Sequence, residues 1–249
     1  MTQPDSVLSD GSLFASAILL AAGSGSRMQG TTADKSIALL NNRPTICYSV
    51  SAFLQSRCIQ RLTIVYRDSV QKNELENALS KVNLLNTPID WVQGGKERQD
   101  SVYAALQQQP KHCSYVFIHD SARPLVSSDA IRNLYETVLR DEAAALAHPV
   151  ADTIKRIPNE TELTQVKLED LDRSRLWAIE TPQVFKFELI LKAYEYVIKN
   201  ELRITDDTAA ASAIGIGTTL VPNTTPNIKI THPKDLKYVA WLLAETSNR

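Results

Sequence analysis

The chain has no long hydrophobic run. None of its apolar stretches approaches the roughly 18 residues that a membrane-spanning helix needs, so no membrane partner is expected. Cysteine is scarce: Cys47, Cys58 and Cys113 are odd in number, scattered and without C-x-x-C spacing. Buried thiols in a reducing compartment are expected instead of a disulfide framework. An excess of one charge is missing too, with 27 Lys and Arg against 28 Asp and Glu, a formal net charge of −1 and a sequence pI of about 6.4. No global basic field points to nucleic acid or an anionic membrane, so any anion site must be local. The N-terminus lacks the basic segment of a signal peptide and carries Asp5 and Asp10. Residues 1–13 are expected to be a disordered extension, residues 14–249 a single domain, and the protein cytoplasmic.

What is present is an alternation of short apolar runs with helical patterns, the pattern of an α/β fold with a mostly parallel sheet. Strands are expected at Ala17–Leu20, Leu62–Tyr66, Ile89–Val92, Tyr115–His119 and Ala143–Val150. Helices are expected at Pro44–Ser56, Asp68–Val82, Glu97–Gln108 and Ser128–Arg140, each with apolar side chains at helical spacing. From Val150 to Ile179 the pattern changes. Thr153–Ile157 and Leu163–Leu168, separated by Pro158-Asn159-Glu160, predict a β-hairpin arm with charged flanks. It has too little apolar surface for a core of its own, so it is expected to pack on something else, a second copy of the chain being the obvious candidate. The helical pattern resumes at Lys186–Lys199 and at Asp206–Ile214 before Gly215. Strands at Thr219–Val221 and Asn227–Thr231 and a last helix opened by Pro233 follow.

In an open α/β sheet, ligands bind outside the carboxyl ends of the strands. The chemically unusual residues fall there: Ala21, Ala22, Gly23, Gly25 and Arg27 after the first strand, Gly94 and Gly95 after the third, Asp120 and Arg123 after the fourth. Small residues let backbone N–H groups approach an anion, and Arg27 and Lys35 add two cations, which together suggest a polyphosphate site. A dinucleotide fingerprint is excluded because its third glycine position is Met28, and a P-loop because no Gly-Lys-Ser/Thr follows Gly25 at the required distance. His119 precedes Asp120, and strand alternation turns it to the opposite face as a packed core residue.

The stretch LLAAGSGSRM resembles the L-x-A-G-x-G-x-R-M signature of the sugar nucleotidyltransferases. GGKERQDSV, HDSARP, PVADTIKR, LWAIETPQVF, ITDDTAAA and NIKIT follow in order. Together they resemble the 2-C-methyl-D-erythritol 4-phosphate cytidylyltransferase family over about Ala17 to Leu243. The resemblance implies a Rossmann-like three-layer α/β/α sandwich and a homodimer whose arm reaches into the partner's site. It also implies transfer of CMP from CTP to methylerythritol 4-phosphate with Mg²⁺ and release of pyrophosphate.

Residue by residue, the resemblance assigns Arg27 and Lys35 to the triphosphate and the transition state. Asp120 matches the magnesium-associated aspartate, and an oxygen ligand suits a hard cation. Cytosine recognition falls to Gly94, Gly95 and Ser101, with Arg98 and Arg123 as supports around the substrate. The acceptor side takes Thr153, Arg173, Thr181, Asp206 and Lys229, with Arg173 supplied by the other subunit. Lys96 and Glu97 are expected to be solvated. Two positions depart from the family's pattern. Asp34 stands where a proline usually precedes the lysine, and an inward-facing Asp34 would weaken triphosphate binding. Pro226 precedes Asn227 where some relatives place an acid that helps hold the metal. The rival readings are a cytidylyltransferase for another polyol phosphate such as ribitol 5-phosphate, a non-catalytic nucleotide-binding regulator, and a sugar-1-phosphate uridylyl- or adenylyltransferase. The last would rest on the first motif alone.

Overall fold

The computed structural model describes residues 13–23, 34–158 and 163–247. The expected N-terminal extension therefore falls, save Leu13, outside the described residues, as do Gly25 and Arg27.

The first half of the chain follows the expected alternation. Strand β1 (Ala15–Leu20) leads through the short pair β2 (Leu39–Leu40) and β3 (Arg43–Pro44) to helix α1 (Thr45–Ser56). Pro44 sits at the helix N-cap with φ −57°, and Arg57 ends the helix in the left-handed region at φ 59°. Strand β4 (Arg61–Tyr66) and helix α2 (Ser69–Leu79) follow, the helix opened by Asp68, whose side chain accepts from the Gln71 N–H. Strand β5 (Ile89–Gln93), helix α3 (Arg98–Gln107), strand β6 (Tyr115–Asp120), helix α4 (Ser128–Asp141) and strand β7 (Ala143–Pro149) complete this half. Ser127 caps α4 by accepting from the Ala130 N–H at 3.1 Å.

The second half departs from the pattern in three places. The arm's paired strands are only β8 (Lys155–Arg156) and β9 (Glu169–Asp170), so the second strand lies C-terminal to the expected Leu163–Leu168. Its rungs are ion pairs, Lys155 with Asp170 and Arg156 with Glu169. A ten-residue strand absent from the sequence reading, β10 (Trp177–Lys186), follows a 3-10 turn at Arg173–Arg175. Helices α5 (Phe187–Lys199) and α6 (Asp207–Ala213) and strand β11 (Thr219–Pro222) come next, then helix α7 (Pro233–Ser247). The expected strand at Asn227–Thr231 is instead irregular. Its backbone is held from outside, by Arg123 on the Asn227 carbonyl and by the Ile230 N–H on the Ala122 carbonyl.

Seven strands form one sheet in the order β11-β7-β10-β6-β1-β4-β5. All neighbours run parallel except β10, which is antiparallel to both β6 and β7. Side-chain alternation sends Ala17, Leu19, Leu62, Ile64 and Phe117 to one face, under α1, α2 and α4. Ile18, Val65, Val116 and Ile118 go to the other, under α3, α5 and α6. Burial on both faces is why these strands read as unbroken apolar runs. This is the three-layer mixed α/β architecture that the resemblance implied. A small third cluster, Leu40, Ala122, Ile230 and Val239, seats α7 against the strand-end loops.

Candidate active site

A cleft of about 470 Å³ opens at the carboxyl ends of β1, β4, β5 and β6. It is lined by Leu20, Ala22, Gly23, Lys35, Arg67, Gly95, Lys96, Glu97, Arg98, Ser101, Asp120, Ala122 and Lys229. Five of these side chains are cations and two are acids, so a local anion site exists within a chain of nearly zero net charge.

Asp120 ends β6 on the cleft floor. Its Oδ2 accepts from Lys229 Nζ at 2.6 Å and its Oδ1 from Arg98 Nε at 3.4 Å. Burial opposes its charge, but Arg98 and Lys229, and beyond them Arg123, hold the carboxyl well below the usual carboxylate range. Arg98 is shared, because its Nη1 and Nη2 also fork onto the fully buried Asp207 at 2.9 and 2.7 Å. Burial works against the Arg98 charge, yet the two aspartates raise its pKa well above the ordinary value. Arg123 lies behind the floor, its Nη1 donating to the Asn227 carbonyl at 2.6 Å.

His119 is fully buried on the opposite face, as alternation required. Its Nε2 lies 3.2 Å from the Arg123 carbonyl and its Nδ1 3.1 Å from Thr181 Oγ1. A carbonyl can only accept, so Nε2 carries the proton and Nδ1 accepts the Thr181 hydroxyl. Thr181 Oγ1 in turn accepts from the Asp120 N–H at 3.0 Å. The relay fixes the backbone at the aspartate.

The glycines after β5 are required by space. A Cβ on Gly94 would lie 2.7 Å from the Ala22 Cβ and 2.9 Å from Ser101 Oγ. The first contact would force the β5 turn away from the β1 turn, and the second would press on the start of α3. The Ser101 hydroxyl holds this turn by accepting from the Gly95 N–H and donating to the Glu97 carbonyl, each at 3.1 Å.

The cleft thus gathers Ala22, Gly23, Lys35, Gly95, Ser101, Asp120 and Lys229 from the sequence-predicted set. Ala21 is buried beside it, with its N–H on the Val65 carbonyl, and Gly94 sits one residue before the lining. Thr181 and Asp206 stand outside the lining. Asp206 caps α6 by accepting from the Ala209 N–H and receives Gln183 Nε2, each at 3.0 Å. Thr153 and Arg173 are exposed on the arm, with Arg173 Nη1 on the Ala151 carbonyl at 2.7 Å. Lys96 and Glu97, expected to be solvated, are exposed and also line the cleft.

Asp34 is turned inward and paired with one of the cleft cations, Arg67. It is 2% exposed, with Oδ1 accepting from the Ser36 N–H at 2.8 Å and Oδ2 receiving Gln71 Nε2 and Arg67 Nη1. Gln71 Nε2 also donates to the Ala21 carbonyl at 2.9 Å. Arg67, which directly follows β4, was missed although the strand-end rule that found Asp120 also points to it.

A profile of the IspD family, 2-C-methyl-D-erythritol 4-phosphate cytidylyltransferase, matches residues 15–245. The chain belongs to this family. The 2-C-methyl-D-erythritol 4-phosphate cytidylyltransferase of Clostridioides difficile is 36% identical over 228 residues, 92% of this chain and 93% of its own. That of Desulforamulus reducens is 38% identical over 220 residues, covering 88% and 92%. The crystal structure of the Francisella tularensis IspD superposes with a TM-score of 0.75 at 28% identity, over 92% of this chain and 99% of that one. Every cleft-lining residue, from Leu20 to Lys229, falls within the span matched to the IspD family.

Proposed function

We propose that the protein transfers CMP from CTP to 2-C-methyl-D-erythritol 4-phosphate in the cytoplasm, releasing pyrophosphate, and that a homodimer completes each site. The observation that carries this reading is the convergence of Lys35, Arg98 and Lys229 with ionised Asp120 in one strand-end cleft of an IspD-family chain. The Clostridioides difficile and Desulforamulus reducens relatives are both named for the methylerythritol reaction.

In the reaction an oxygen of the acceptor's phosphate attacks the α-phosphorus of CTP. That P–O bond forms as the bond to the departing pyrophosphate breaks. Both partners are anions, so the protein's task is to hold them in line and to offset charge that grows in the transition state. The turn at Ala21–Gly23 and Lys35 take the donor phosphates, together with Arg27 by family resemblance. The close-packed Gly94–Gly95 turn, braced by Ser101, makes room for the flat cytosine ring. Lys229 bridges the donor and acceptor sides from its place on Asp120. Thr181 acts through Asp120, whose N–H it receives, and Asp206 through the capped start of α6, while Arg123 holds the chain that carries Lys229. Thr153 and Arg173 reach a partner's acceptor pocket from the arm, whose exposed Ile154, Ile157, Leu163 and Leu168 are suited to a protein interface.

Among the described residues no group of three His, Cys, Asp or Glu side chains could hold a metal ion. Mg²⁺ is commonly held by one or two carboxylates plus substrate phosphates, so the single ionised carboxylate of Asp120 fits a metal that arrives with CTP. Bound there, the ion would offset charge on the phosphate oxygens.

Pyrophosphate release, measured with each nucleoside triphosphate against methylerythritol 4-phosphate and ribitol 5-phosphate, tests the reaction. Turnover with CTP and methylerythritol 4-phosphate is expected, and turnover with ribitol 5-phosphate alone would overturn it. Mixing Arg27→Ala and Arg173→Ala chains under subunit exchange tests the shared site. Recovery of up to about half of normal activity per heterodimer is expected, since one site regains both arginines. No recovery despite demonstrated exchange would place Arg173 in its own subunit's site.

A further inference from the structure

Glu180 is a carboxylate 4% exposed in the middle of β10, in the sheet's interior, and neither the substrates nor the metal explain it. Its Oε1 pairs with His148 Nδ1 at 2.6 Å. Its Oε2 accepts from Asn223 Nδ2 at 2.8 Å and Asn227 Nδ2 at 2.9 Å. A carboxyl group this buried is tolerated only when its oxygens are hydrogen-bonded, and here three partners from two other segments do so. His148 lies at the end of β7, where the arm begins. The two asparagines bracket the turn 223–227, which follows β11 and has no helix or strand of its own.

That turn carries the chain to Lys229, two residues beyond Asn227. The Asn227 amide is fixed in orientation, because its Nδ2 also donates to the Thr181 carbonyl at 2.8 Å and both partners are acceptors. Within the turn Asn223 Oδ1 accepts from the Thr225 N–H at 3.2 Å and the Thr225 hydroxyl at 3.0 Å, and beyond it Lys229 is paired with Asp120. The backbone is held by Arg123 on the Asn227 carbonyl, the Asn223 N–H on the Ala147 carbonyl and the Ile230 N–H on the Ala122 carbonyl. Among the described residues, Glu180 alone ties both ends of the turn through side chains.

We propose that Glu180 is a positioning residue for Lys229: through Asn223 and Asn227 it clasps the irregular turn and so sets where the lysine stands over Asp120. The role rests on the reaction proposed above, in which Lys229 serves the acceptor. It adds a residue that touches neither substrate. A clasp displaced by about 1 Å misplaces a charge on the reacting phosphates, and such displacement costs up to about 10²-fold in rate.

The test pairs a measurement without substrate with one that needs it. Hydrogen–deuterium exchange over residues 223–231 should rise in Glu180→Leu and stay near wild type in Glu180→Gln, which keeps an acceptor for the asparagines. In steady-state kinetics, Glu180→Leu should lower kcat/KM for methylerythritol 4-phosphate by roughly 10- to 100-fold while the KM for CTP moves less than about twofold. Glu180→Gln should rescue most of that loss. In a Lys229→Met background the same substitution should add little, because the group it positions is gone. If Glu180→Leu does not fold, Asn223→Ala, which removes one of the carboxylate's three partners, should lower kcat/KM for methylerythritol 4-phosphate in the same way but by less. Unchanged exchange, equal loss for both substrates, or full additivity with Lys229→Met would each overturn the proposal. A wild-type chain inactive on methylerythritol 4-phosphate would overturn the reaction reading, and the exchange result would still decide the clasp.

Discussion

Acidification from pH 7 towards pH 5 should destabilise this protein through His119. The imidazole is fully buried beside the Phe53 ring, 5.5 Å between centroids, and desolvation pushes its pKa down to about 4. Nδ1 accepts from Thr181, so adding a proton there would set two donors against each other. In the unfolded chain the same group titrates near its ordinary value of about 6.5. Between these values the unfolded state binds the proton and the folded state does not. Stability is therefore fully present above about pH 6.5 and falls as the pH drops towards 4. From pH 7 to pH 5 the loss is about 2 kcal/mol. Urea unfolding of wild type and His119→Gln at both pH values, in chelator to keep divalent ions from Asp120, isolates this contribution from the carboxylates that titrate in both proteins. The wild type should lose about 2 kcal/mol more than the variant over that interval. Equal losses would show that the imidazole is accessible to protons in the folded state and would refute the buried relay.

Three further outcomes follow from contacts at the cleft. Arg98→Met should cost about 3–5 kcal/mol in denaturant unfolding, because it strips the cationic partner from buried Asp207, and Arg98→Met with Asp207→Asn should recover part of it. A single variant losing under about 1 kcal/mol would remove the pair from the fold's supports. Gly94→Ala should lower stability by about 1–3 kcal/mol and raise the KM for CTP, since its Cβ meets Ala22 and Ser101; an unchanged KM would detach this turn from the nucleotide. Asp34→Ala should weaken CTP binding, because it releases Gln71 and Arg67, and Asp34→Asn, which keeps one acceptor but loses the charge and turns its NH2 on a donor, should weaken it less. Tighter CTP binding in the alanine variant would mean that the carboxylate repels the triphosphate after all.

The sequence was most legible where burial on both faces left a continuous apolar run, as in β1, β4, β6 and β7. It was least legible at β10, whose centre reads Glu180, Thr181, Pro182 and Gln183. Those polar residues are buried because each has a partner far along the chain: Glu180 at Asn223 and Asn227, Thr181 at Asp120 and His119, Gln183 at Asp206. Periodicity does not encode such partners. The same limit explains Asp34, which reads as misplaced charge beside Lys35 until Gln71 reaches it from α2 and Arg67 from just beyond β4. Strand-end placement and motif order were enough to assemble Lys35, Ser101, Asp120 and Lys229. They could not distinguish a hydroxyl that braces a turn, as Ser101 does, from one that meets a ligand.

Pro149 and Trp177 are cross-strand partners in the β7–β10 ladder, and the Val150 N–H reaches the Leu176 carbonyl at 3.2 Å. The chain therefore leaves the sheet and returns to it at one point, and the whole arm is a detour across a closed hairpin stem. Insertions, deletions or wholesale replacement inside the stem, between 151 and 175, should leave the register of the sheet untouched. The arm can diverge at its own pace, answerable to whatever surface it meets, while the residues that hold Asp120 stay fixed.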